Sequence, residues 1–159
     1  MDIGFFVSLS MKHIRFVGLV VLLFIHVHLN AEVNAKVQEN QIEANVPPVM
    51  LFDAYLERDL VKYFGPKISK GEIAVVYKFL RNGPTQSGAS YPKYYLWVDV
   101  TADGELVESG AIRIAAVAKS YFEITNYLSG KSIRSDPESV SKVFPAALID
   151  NIYTLAGIN

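Results

Sequence analysis

The chain has 159 residues, 15 Lys and Arg against 16 Asp and Glu for a net charge of −1, and no cysteine. A balanced charge without a basic stripe excludes a nucleic-acid surface of the usual electrostatic kind. The missing cysteine excludes disulfides, thiol chemistry and cysteine-ligated zinc.

Lys12, His13 and Arg15 precede an apolar run from Phe16 to Ile25, which His26 and His28 weaken, and the small residues Ala31 and Ala35 follow. A basic start, a short apolar centre and a small-residue exit are the parts of a secretory signal peptide. A membrane anchor needs roughly 20 apolar residues, about twice this run. The expected organisation is a cleaved signal peptide over 1–35, cut after Ala35, then a flexible lead-in over 36–46 and one domain over 47–159. All three histidines, His13, His26 and His28, lie in the leader. The exported chain would lack the parts of a Ser-His-Asp or Cys-His machine.

Pro47-Pro48 opens a helix pattern. Val49, Phe52, Leu56, Leu60, Tyr63 and Phe64 recur at spacings of three and four, up to Gly65-Pro66. From Glu72 the period becomes two. Strands are expected over 72–80, 93–100, 106–117 and 121–128, with a loop over 82–92. Asp103-Gly104 and Lys119-Ser120 mark two short turns, so consecutive strands are antiparallel. Ser135-Asp136-Pro137-Glu138 has capping-box spacing, and Pro145 should split the helix that follows near Phe144. Gly157 is the expected stop.

The expected fold is α+β: a four-stranded antiparallel sheet with an N-terminal helix and a Pro-kinked C-terminal helix on one face. The order α-β-β-β-β-α resembles cystatin-like and NTF2-like scaffolds. The resemblance lies in element order and in no motif. Gln86-Ser87-Gly88-Ala89-Ser90 departs from the Q-x-V-x-G protease-binding loop of cystatin-type inhibitors.

Two-residue loops at both turns would pair Leu96 with Ala111 and Ala115 with Ile124. One sheet face then carries Leu96, Val98, Val100, Val107, Ala111, Ala115, Val117, Phe122, Ile124 and Leu128, the expected core. The other carries Tyr95, Trp97, Asp99, Ile112, Ile114, Glu123, Thr125 and Tyr127. So many large apolar groups on one face imply a cover: the C-terminal segment, a second chain, or a ligand or protein partner. Tyr95, Trp97, Asp99, Ile112, Ile114, Glu123 and Tyr127 are the candidate partner-binding residues. A one-residue slip would undo this assignment.

Arg113 is a candidate anion ligand, although a structural Arg paired with a carboxylate or backbone carbonyl is the commoner outcome. Gly130-Lys131-Ser132 lacks the earlier glycine of a phosphate loop, since that position is Thr125. Asp53 and Glu57 share a helix face and read as solvated. No residue is assigned to catalysis, a metal or a cofactor. The expectation is an exported, periplasmic or secreted, non-catalytic binding module. Its partner would be a protein, a small apolar ligand or a second copy, with no nucleic acid and no stable membrane anchor. A small NTF2-like hydrolase or isomerase using Asp99 or Glu123 is the first alternative. A structural subunit of an envelope assembly is the second.

Overall fold

A computed structural model of the chain describes residues 45–68, 71–87 and 90–158. The expected leader, the expected cleavage after Ala35 and most of the expected lead-in lie outside the described residues.

Helix α1 spans Val49–Phe64. Pro48 precedes it, and Pro66, with no amide to donate, helps turn its end into the 3-10 turn Gly65–Lys67. Four strands follow: β1 Ile73–Phe79, β2 Lys93–Ala102, β3 Glu105–Ala118 and β4 Tyr121–Ser129. They form one antiparallel sheet in the order β1-β2-β3-β4. The α+β expectation therefore holds. Three short helices close the chain: α2 Gly130–Ser135, α3 Glu138–Val143 and α4 Ala146–Ala156.

Both turns fall where the sequence puts them. Ala102 pairs with Glu105 across Asp103-Gly104, and Ala118 pairs with Tyr121 across Lys119-Ser120. Asp103 and Gly104 both have positive φ, 50° and 82°, the backbone of a type I′ hairpin. The register inside the strands nevertheless differs from the expected one. Leu96 pairs with Ile112 and Ala115 with Glu123. The slips arise at bulges. Val100 pairs with Glu108 but Thr101 with Leu106, so Val107 is the extra residue. Val117 and Thr125 are skipped in the same way between β3 and β4. An extra residue on one strand turns every later side chain to the opposite face.

The corrected faces make two cores. On the first face α1 supplies Leu56, Leu60 and Phe64, which pack on Tyr94, Leu96, Val98, Val100, Ile112, Ile114, Ala116 and Phe122. On the second face Ile133, Val140, Leu148, Ile152 and Ala156 from α2, α3 and α4, with Phe144 between α3 and α4, pack on Tyr95, Trp97 and Ala111. The helices thus sit on opposite faces of the sheet, not on one. The physical reason is that β2 is apolar on both sides, so both faces need a cover. Gly110 lies where β3 and β4 approach closely. A Cβ there would collide with the Leu128 carbonyl and stand 2.9 Å from the Tyr127 ring.

The C-terminal helices start earlier than the capping box implied. Ser129 caps α2, its hydroxyl accepting from the Ser132 amide at 3.0 Å. Gly130-Lys131-Ser132 is the first turn of that helix, not a loop. Pro145 does break the helix: Phe144 is extended and α4 begins at Ala146. Gly157 ends α4 at φ 76°.

Candidate functional site

The residues expected to form a partner surface are divided by the sheet. Tyr95 and Trp97 are buried beneath the C-terminal helices. The chain's own helices therefore fill the place reserved for a partner. Ile112 and Ile114 are buried under α1 on the opposite face, and Tyr127 packs edge-on against Phe64 there, ring centroids 5.1 Å apart. Glu123 is exposed at the groove between α1 and β4. Asp99 alone stands at the rim of the second face, half-buried, accepting from Trp97 Nε1 at 3.2 Å.

Arg113 lies on β3 opposite Tyr95. Its Nε donates to Thr125 Oγ1 at 3.0 Å, one terminal nitrogen donates to the Val143 carbonyl at 3.1 Å, and the other donates to Asn126 Oδ1. The guanidinium therefore ties the β4 bulge to the end of α3.

Among the described residues the second face is covered only in part. β2 and β3 carry Asp99 and Ser109 as a directly opposed pair, with Val76 of β1 beside Asp99. Ser109 also lines an open cavity of about 300 Å³ with Leu106, Val107, Glu108, Ser129, Lys131 and Arg134. Leu106 and Val107 are 64% and 48% exposed. The β3 bulge presents them at the cavity, and the first turn of α2 supplies Lys131. Arg134 is partly engaged, donating to the Ala156 carbonyl at 2.9 Å. Sequence reasoning placed Val107 in the core because it lacked the bulge.

Asp59 is a second residue that the sequence reading passed over. It is buried, and its carboxylate accepts from the Phe122 amide at 2.8 Å and from Arg58 Nε at 2.9 Å. A signal was present: Asp59 lies on the apolar stripe between Leu56 and Tyr63. Asp53 is not simply solvated either, since it accepts from the Tyr77 hydroxyl at 2.6 Å.

Three tyrosines resist ionisation. Burial pushes Tyr94 up to about 12. Burial, and then the neighbouring Glu108, raises Tyr127; burial, and then Asp53, raises Tyr77. These phenols ionise less readily folded than unfolded. Their stabilising contribution is full below the ordinary tyrosine value of about 10 and is lost as pH rises through the folded values. An ultraviolet titration should show Tyr77, Tyr94 and Tyr127 ionising only from about 12 upward, together with loss of tertiary circular dichroism. Ionisation of these three near the ordinary value of about 10 would overturn this.

Among the described residues, no helix is long and apolar enough to cross a membrane, and no group of three or more His, Cys, Asp or Glu is arranged to hold a metal. The chain matches no protein-family model, no curated protein and no solved structure, so the likeness to cystatin-like and NTF2-like scaffolds stays one of element order.

Proposed function

We propose that the chain is an exported, non-catalytic interaction module that docks a protein partner at the open cavity between the β3 bulge and α2. One observation carries this reading. Leu106 and Val107 stay exposed side by side next to the cationic Lys131, beside the part of the face that the chain's own helices cover. An exposed apolar pair rimmed by charge is the usual mark of a contact surface. The fitting partner presents an apolar side chain flanked by a carboxylate. Export rests on the basic, apolar and small-residue order before Ala35.

The enzyme alternative fits less well. The space between α1 and the sheet, where an NTF2-like cavity would open, is filled by the rings of Phe52, Phe64, Tyr94 and Phe122. Asp99 stands on the other face, held by the Trp97 indole.

Photo-cross-linking in cells that make the protein tests the reading. A photoreactive residue at Val107 should give a discrete adduct, and one at exposed Ala118 should not. N-terminal sequencing of the same material should begin at Lys36. No adduct at Val107, or recovery only with an intact leader in membranes, would overturn the respective half.

A further inference from the structure

The two edges of the sheet are not alike. β4 is closed to a further strand at its start. There the Phe122 amide donates to Asp59, the Ser120 carbonyl accepts from Arg58 at 2.5 Å, and the Thr125 bulge breaks the ladder. Such devices are how sheets avoid edge-to-edge association. β1 has almost none of them. Its seven residues, IAVVYKF, contain no Pro or Gly, and its register with β2 runs without a shift. Among the described residues nothing pairs with its outer side.

The hydrogen-bond phase says which backbone groups of β1 point away from β2. The Leu80 amide donates to the Tyr95 carbonyl, and the Glu72 carbonyl accepts from the Asp103 amide. Even-numbered residues therefore direct their backbone groups at β2. Ile73, Val75, Tyr77 and Phe79 direct theirs outward. One antiparallel two-fold register matches all four with a copy of themselves, the one centred on Val76. It sets Ile73 against Phe79 and Val75 against Tyr77.

We infer that β1 pairs with β1 of a second copy in this register, joining two sheets into one of eight strands. The side chains agree with it. Val76, 66% exposed on the second face where the helices do not reach, meets its own copy at a non-hydrogen-bonded position, where side chains approach closest. Lys78 faces Ala74 and lies diagonal to Glu72, so the one cation of the strand is offered a carboxylate and not another lysine. On the first face the exposed edge of Phe79 gains Ile73. Asp53 and Glu57 stand near Tyr77 and repel their copies there; the two Lys78–Glu72 diagonals oppose that repulsion. The pairing uses a different surface from the cavity at Val107, so either proposal can fail alone.

The chain has no cysteine, so a single introduced thiol reports without background. In the purified protein, Val76→Cys should oxidise to a disulfide-linked dimer more than about ten-fold faster than Leu106→Cys, because a preformed pair holds the two sulfurs together. Leu106 is equally exposed but lies away from this edge. Ala74→Cys mixed with Lys78→Cys should cross-link better than either alone, which fixes the register. Val76→Lys, which sets two ammonium groups face to face, should sediment as a monomer at concentrations where the parent sediments as a dimer. The proposal is overturned if the parent stays monomeric at every concentration, or if Val76→Cys links no faster than Leu106→Cys.

Discussion

Trp97→Ala is expected to cost about 3–5 kcal/mol of stability, the range for removing a buried large aromatic side chain. Trp97 is only 6% exposed and stands at the centre of the second core. It lies opposite Ala111, whose small side chain leaves room for the indole, and below the helices that bring Phe144 and Leu148. Truncation leaves a cavity between sheet and helices and removes the indole donor from Asp99. A small domain has about 5–15 kcal/mol in total, so the loss takes a large share of it and the denaturant midpoint should fall well below the parent's. The damage should concentrate in α2, α3 and α4, since α1 packs on the other side. Urea unfolding followed by circular dichroism measures the loss, with proteolysis locating it. Asp99→Asn is the control: an acceptor oxygen remains, and the cost should stay near 1 kcal/mol or below. A loss of less than about 1 kcal/mol for Trp97→Ala would show that the indole is not part of the core.

The same residue shows where the sequence was readable. Alternation along KYYLWVDV put Trp97 and Leu96 on opposite sides, and the structure keeps them there. Period, turn residues and proline breaks are local signals, and they located α1, all four strands, both hairpin loops and the break at Pro145. The Val107, Val117 and Thr125 bulges are not local in that sense. Each is decided by which pairing buries more, and no residue type announces it. Because of them Ile112 and Ile114 moved to the face of α1, and Val107 moved out of the core. The cover on the second face was legible only as a need. The sheet showed two apolar sides, but Val140, Phe144, Leu148 and Ile152 repeat at helical spacing without saying which side they take. The α2 helix was missed because six residues starting with glycine carry too short a pattern.

The second large effect is expected at Asp59, where Asp59→Ala should cost about 3 kcal/mol. The carboxylate is 4% exposed as a residue and joins two elements far apart in the chain. It accepts from the Phe122 amide at 2.8 Å and pairs with Arg58 at 2.9 Å. A hydrogen bond to a charged group contributes about 1.5–3 kcal/mol, and an orphaned buried amide adds a desolvation cost of about 1–3 kcal/mol. Arg58 is half exposed, so its ion pair is screened by water and adds little. Arg58→Ala should accordingly cost only about 1 kcal/mol or less, despite the bond it gives to the Ser120 carbonyl. Asp59→Asn should fall between. Its carboxamide oxygen can still receive the Phe122 amide, but its amino group then turns a donor towards the guanidinium. Denaturant midpoints of the three variants test this order, and a larger loss for Arg58→Ala than for Asp59→Ala would reverse the argument. The position matters beyond stability. Asp59 is what stops the start of β4 from offering an open ladder donor to another chain. Asp59→Ala should therefore aggregate more readily than Arg58→Ala at equal fraction folded, measured by light scattering, because only the first frees the amide of an edge strand.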